Sequence, residues 1–425
     1  MNSIFWHDYE TFGSDPRRDR PSQFAGIRTD AELNVIGEPL SLYCKPAPDF
    51  LPHPAACRIT GISPQKALAE GVNEAEFCKR ILQEMAEPGT CVSGYNSIRF
   101  DDEVTRHLLY RCFHDPYERE WKHGNSRWDL IDVLRTTRAL RPDGIEWPLK
   151  EDGSPSFRLE ALTAANGIPH SGAHDALVDV RATIDMARLV RAKQPRLYDY
   201  LYSLRNKNRV LAQLDLQSRL PVVHVSGRYP AQRGCLGIVM PLMRQADNAN
   251  GIIVLNLLSD PSPWLGLDAE EIRAKLYRPS SELEEGEERI GLKVLHLNRC
   301  PSVAPLGVLN AEIQQRYAID LEAVAAHRNK VLAAPGLNER LRQVFAPQTY
   351  EEHSDPDFML YAGGFFDDHD KRLMQQLQRL QPAALDSLSG QFHDARLPEL
   401  LFRYRARNWP ESLNSEESQH WHAYC

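Results

Sequence analysis

At 425 residues, with 42% hydrophobic and 25% charged residues, the chain is long enough for two or three ordinary globular domains. Fifty Lys and Arg against 58 Asp and Glu leave a net charge of −8, which excludes a broadly basic nucleic-acid coat and confines any such contact to a local groove. No apolar run approaches the ~18 residues of a membrane helix, Met1 to Glu10 lacks signal-peptide character, and the eight cysteines form no C-x-x-C pair. The expectation is a cytoplasmic protein with reduced thiols, no membrane association, no disulfide framework and no cysteine zinc site.

Ile4 to Glu10 reads as a short strand, and Phe24 to Thr29 and Leu40 to Cys44 as two more joined by turn-prone segments. Ser63-Pro64 supplies an N-cap and a first-turn proline for a helix that Gly71 closes. A second helix carries Phe77, Ile81, Leu82 and Met85 on one face. Thr90 to Ser93 is a brief buried-type strand, and Asp101 to Phe113 has helical spacing through Val104, Leu108 and Leu109. Leu159 to Ala165, closed by Asn166-Gly167, and Ala176 to Val190 are further helices. Strands followed by mixed strand and helix predict one α/β domain over residues 1–193.

Composition shifts after Gln194-Pro195. Val222 to Val225, Gly237 to Met240, Ile252 to Leu258 and Lys293 to Leu297 are β-type runs broken by Gly, Pro and Asn, which predicts a small β-rich domain over 194–348. The acidic stretch Ser281 to Arg289 reads as an exposed loop. Met374 to Leu380 and Leu397 to Tyr404 have helical periodicity, placing a helical region over 351–425. There is no internal repeat and no low-complexity tract.

Asp8 and Glu10 are two apart in a strand, so both carboxylates share a face. Two like charges held that close want a cation, and hard oxygen ligands select Mg²⁺ or Mn²⁺. A pair of such ions suits phosphodiester cleavage. Alone, D-x-E is also an ordinary solvated acid pair at a strand edge. Downstream, Gly94-Tyr95-Asn96-Ser97-Ile98-Arg99-Phe100-Asp101 puts an acid after a strand at the mouth of a helix, where Asp101 or Asp102 also suits a cap. His174 stands five residues before Asp179, which lies beside apolar Leu177, Val178 and Val180 and needs a partner if buried. A histidine at the helix start can serve as general base, or simply as a surface histidine.

These three motifs, in this order, resemble the DEDDh family of 3′–5′ exonucleases, whose fold is ribonuclease-H-like. The resemblance implies Asp8, Glu10 and Asp179 as metal ligands for two Mg²⁺ ions (Mn²⁺ substituting), Asp101 as the acid of the second motif, and His174 as base. A histidine in place of a tyrosine ahead of the last aspartate selects the h branch. Longer stretches are similar to the bacterial exodeoxyribonuclease I family: Phe5 to Gly13, Arg20 to Ala25, Arg99 to Arg106, Asn125 to Asp129, Pro155 to Glu160, His224 to Gly227 and Tyr404 to Asn408. That family implies a nuclease domain, an SH3-like domain and a helical C-terminal domain closing a channel around single-stranded DNA. The helical region is shorter here than in the family, which bears on processivity.

Between Arg99 and Arg141, basic residues alternate with aromatics, the pairing that single-strand binders use for phosphates and for base stacking. Interspersed acids make a solvated helix with core aromatics an equal reading. The resemblance implies Arg106, Tyr117, Trp121 and Arg135 as strand contacts, with Arg158 and Glu10 near the scissile end. It also implies that Arg141 and Tyr200 dock the acidic C-terminal tail of single-stranded-DNA-binding protein, and that the enzyme is a monomer. The alternatives are an RNA 3′-trimming exonuclease of the same superfamily and a non-catalytic single-strand-binding scaffold.

Overall fold

The computed structural model describes residues 3–172, 174–282, 289–347 and 354–425. The chain forms two compact units, Met1–Asp129 with Gly167–Ala187 and Tyr350–Cys425, and Leu130–Asn166 with Arg188–Thr349.

The first unit is organised by a five-stranded sheet of β1 (Ser3–Thr11), β2 (Pro21–Thr29), β3 (Leu40–Tyr43), β4 (Thr90–Gly94) and β5 (Ser126–Asp129), in the order β3-β2-β1-β4-β5. β1, β2 and β3 are an antiparallel meander, whereas β4 and β5 join β1 in parallel. β1 and β2 are buried along nearly their whole length, polar residues included. Phe5, Phe24, Phe77, Ile81, Met85, Val92 and Leu108 pack in a core that continues into Leu373, Leu377, Leu397, Leu400 and Tyr404. The helical C-terminal region therefore shares the core of the first sheet. Arg407 fastens it further, pairing with Asp49 at 2.6 Å.

The second unit holds an antiparallel sheet in the order β10-β6-β7-β8-β9, built from β6 (Val222–Val225), β7 (Leu236–Arg244), β8 (Gly251–Asn256), β9 (Leu292–His296) and β10 (Ser302–Pro305). Val223, Val225, Ile238, Met240, Ile253 and Leu255 form its core with Val331, Leu337 and Leu341. The expected β-rich character holds for the sheet only, because helices Ala311–Arg316, Leu321–Ala333 and Leu337–Val344 follow it. In the longest the apolar period is faint, with only Val324 and Val331 buried. What starts the first two is capping, Asn310 accepting from Ile313 N–H and Asp320 from Glu322 and Ala323 N–H. The acidic stretch expected to be an exposed loop lies largely outside the described residues. No described helix is long and apolar enough to cross a membrane.

Candidate active site

The parallel ladder between β1 and β4 ends at the pair Trp6 and Ser93, so Asp8 and Glu10 project beyond the end of β4, the place where parallel sheets open a crevice. Close strand approach there depends on Gly94, where a Cβ would stand 2.6 Å from the His7 carbonyl oxygen. The chain then turns through Asn96 in a left-handed conformation, φ 63°. Asp129, at the end of β5, holds that turn by accepting from Asn96 N–H at 2.8 Å and Ile98 N–H at 3.2 Å. The turn delivers Asp101 to the first residue of helix Asp101–Arg111. There the peptide N–H of Tyr9, between the two β1 acids, donates to Asp101 Oδ1 at 3.0 Å.

The fourth acid arrives from helix Ala176–Lys193. Asp175 starts it by accepting from Leu177 N–H at 3.0 Å, and Gln23, paired with Glu10 across β1 and β2, accepts from Ala176 N–H at 3.3 Å. His174 stands just before the helix with φ 71°, and its backbone N–H faces Asp179 Oδ2 at 3.4 Å. Ligand atoms of Glu10, His174 and Asp179 lie within 4.8 Å of one another. All five predicted site residues thus converge on one end of the first sheet.

His170 is the neighbour that sequence reading missed, its Nε2 lying 2.5 Å from Asp179 Oδ1. The signal available was a second histidine four residues before His174. Asp129 was quoted within a motif without a role, and Asp175 looked like any polar residue beside a helix.

The electrostatics are those of crowded like charges. Burial first, then Asp101, Glu10, Asp179 and Asp175, holds Asp8 well above the usual carboxylate range. Burial, then Asp179, Asp101 and Asp175, pushes Glu10 up to about 8. Burial raises Asp101 as well, against the opposing pull of the Tyr9 N–H. The strongest charges acting on Asp8 and Glu10 are all negative. Such a donor set, crowded carboxylates with the His174 imidazole, fits hard divalent cations.

This has a pH signature. From the ordinary carboxylate range up to about 8 for Glu10, the folded chain keeps protons that the unfolded chain has released, so stability falls as pH rises across that window. In chelator, thermal midpoints are expected to fall between about pH 5 and about pH 8.5, and added Mg²⁺ is expected to flatten the slope. A rising midpoint over the same range in chelator contradicts the arrangement.

The expected strand-contacting side chains sit in different settings. Trp121 is 63% exposed, and Arg158 is exposed apart from a 3.6 Å pair with Glu160. Tyr117 is half-buried, edge-on to exposed Phe365. Arg135 pairs with Asp132 at 2.7 Å and lies over the Phe157 ring. Arg106 departs from the expectation of a phosphate-facing cation. It is buried, with Nε and Nη2 on Glu120 at 2.7 and 3.0 Å and Nη1 on Glu103 at 2.8 Å, and its guanidinium stacks over Tyr117. Surrounding carboxylates satisfy it internally, so it braces the Tyr117 ring. Arg141 and Tyr200 line a cavity of about 370 Å³ in the second unit, Tyr200 donating to the Val303 carbonyl at 2.8 Å.

Comparison with known proteins matches three family models: an exonuclease model over residues 5–187, the exonuclease I SH3-like domain over 205–347, and the exonuclease I C-terminal domain over 354–425. The chain is 47% identical over 422 residues to exodeoxyribonuclease I of Escherichia coli K12, covering 99% of this chain and 88% of that protein. Among solved structures, it is similar to a moderately thermophilic exonuclease I from Methylocaldum szegediense, with 54% identity, a TM-score of 0.94, and coverage of 100% of this chain and 89% of that one. The zinc-bound form of the E. coli exonuclease I complex with single-stranded DNA gives 46% identity and a TM-score of 0.95, covering 100% and 90% respectively.

Proposed function

The chain belongs to the exodeoxyribonuclease I family, and from that premise we propose that it hydrolyses single-stranded DNA stepwise from the 3′ end, releasing 5′-mononucleotides. The observation that carries the chemistry is the convergence of Asp8, Glu10, Asp101 and Asp179 with His174 at the open end of a parallel strand pair. Asp8, Glu10, Asp101 and Asp179 hold two divalent cations, Mg²⁺ by the hardness of the oxygen donors. Such a pair, when bound, supplies activation of water and charge stabilisation at the phosphate. His174 takes the proton of the attacking water, whose oxygen forms the new bond to phosphorus in line with the departing 3′ oxygen. Its position within 4.8 Å of ligand atoms on Glu10 and Asp179 supports that role.

Trp121 and Tyr117 offer ring faces to bases, and Arg158 and Arg135 offer cations to phosphates, with Arg106 stiffening Tyr117 from behind. A time course on a 5′-labelled single strand, beside matched RNA and duplex, with and without Mg²⁺, tests the reading. The expected result is a ladder shortening from the 3′ end of the DNA strand only in Mg²⁺. Faster loss of the RNA identifies a 3′-trimming ribonuclease, and binding without cleavage identifies a scaffold.

The cavity beside Arg141 has an apolar floor of Leu140, Val223 and Val225, with exposed Arg141 and Arg196 at its rim. The two arginines suit the acidic C-terminal tail of single-stranded-DNA-binding protein. Arg141→Ala is expected to weaken a fluorescent tail peptide by roughly ten- to a hundredfold, the value of one charged hydrogen bond. Trimming of naked DNA is expected to be unchanged, and undiminished peptide affinity in the variant removes Arg141 from this role.

A further inference from the structure

Two histidines of the C-terminal region stack face to face outside the carboxylate site. Ring centroids of His369 and His393 are 4.2 Å apart, with planes 14° from parallel. We infer that His369, His393 and Asp370 form a second metal site, one that takes Zn²⁺ or a similar borderline divalent ion.

One ligand atom from each of these three residues lies within 4.8 Å of the others. Each ring is held by a hydrogen bond at one nitrogen, as metal-binding histidines are. His369 Nε2 meets the Gln391 carbonyl at 3.0 Å, and a carbonyl only accepts, so that nitrogen carries the proton. His393 Nδ1 meets Asp367 Oδ2 at 2.9 Å. In each neutral ring the other nitrogen keeps a free lone pair.

The third ligand is fixed by the fold. Asp370 is 1% exposed and lies in the first turn of helix Asp368–Leu377, which Asp367 caps. Its two oxygens accept from His393 N–H at 2.9 Å and Asp394 N–H at 3.0 Å, so the carboxylate holds the loop bearing His393 against the helix bearing His369. Each oxygen retains a further lone pair. Asp367, Asp368 and Asp394 add negative charge, of which Asp394 is answered by Arg396 at 2.7 Å.

Bond lengths of about 2.0–2.2 Å at tetrahedral angles put ligand atoms of one ion roughly 3.3–3.6 Å apart. Closing from 4.8 Å requires a movement of roughly 1–1.5 Å and a turn of one ring out of the stack, because an ion lies in the plane of each imidazole that binds it, and the His393 side chain, 63% exposed, has room for both. Two imidazoles and one carboxylate favour zinc, nickel or copper over Mg²⁺, so the two sites differ in the ion they select. A bound ion would join the helix to the 391–394 loop through metal bonds as well as hydrogen bonds.

Zinc chloride alone is the probe, titrated calorimetrically into the full chain, His393→Ala and the double variant His369→Ala/His393→Ala. Because zinc also enters carboxylate sites, the difference between proteins is what is read. The wild type is expected to bind one more Zn²⁺ than the double variant, with His393→Ala at least tenfold weaker at that site. Zinc is expected to raise the wild-type thermal midpoint more than that of the double variant. Mg²⁺-supported trimming equal to wild type shows that the variants are folded. Equal zinc stoichiometry and affinity in all three proteins overturns the site.

Discussion

Asp8→Asn is expected to lower turnover on single-stranded DNA by about a thousandfold or more, while raising the thermal midpoint of the metal-free protein. The two effects have one cause. Asp8 is held well above the usual carboxylate range by burial and then by Asp101, Glu10, Asp179 and Asp175, so its surroundings oppose its charge. An amide of the same shape removes that repulsion and stabilises the empty fold. The same amide is a poor ligand for a hard cation, and the lost charge stabilisation amounts to about 4 kcal/mol or more of the barrier. Asp179→Asn separates the two effects, since Asp179 already has His170 at 2.5 Å. It is expected to lose turnover without the gain in midpoint. Steady-state digestion in Mg²⁺ and calorimetric melts in chelator measure both quantities, and wild-type turnover in either variant would defeat the assignment of these acids.

How far the sequence reveals such a site depends on what each residue's role leaves in the chain. The period of two placed Asp8 and Glu10 on one face without further information, and the Ser63-Pro64 and Asn166-Gly167 signals bounded helices where caps are found. β5 left no comparable trace. Its four residues, Ser126 to Asp129, lack an apolar alternation and are a strand only because β4 pairs with them in parallel. His170 acts through a carboxylate nine positions away, a distance that no helical or strand period marks. Arg106 shows the opposite case. The resemblance implied a strand contact there, and the fold brings Glu120 to it from fourteen residues away and Glu103 from the preceding turn. Local pattern records which face a side chain takes, whereas the partner waiting there is a property of the fold.

That buried network supports the second large effect. Asp102, next to Asp101 on the same first helical turn, accepts from Arg119 Nη2 at 2.6 Å and Arg127 Nη1 at 2.7 Å, with all three side chains buried. Burial alone raises its pKa, yet the guanidiniums of Arg127, Arg119 and Arg106 outweigh this and hold it below the usual range. Asp102→Ala is expected to destabilise the chain by about 3–5 kcal/mol, the cost of leaving a buried charge uncompensated. Arg119 bears most of this, because among the described residues its Nε and Nη1 already lack a hydrogen-bond partner. Asp102→Asn keeps the shape and an acceptor oxygen, so it is expected to lose less. Linkage supplies an independent check. A depressed carboxylate contributes its stability above the ordinary pKa and loses it as pH falls through the folded value, so the deficit of Asp102→Ala against wild type is expected to shrink in acid. Urea unfolding at neutral pH and in acid reads both. Loss of stability should also reach the chemistry, since the displaced turn carries Asp101 away from the Tyr9 N–H that positions it. An alanine variant as stable as wild type at neutral pH would mean that this network does not hold the turn in place.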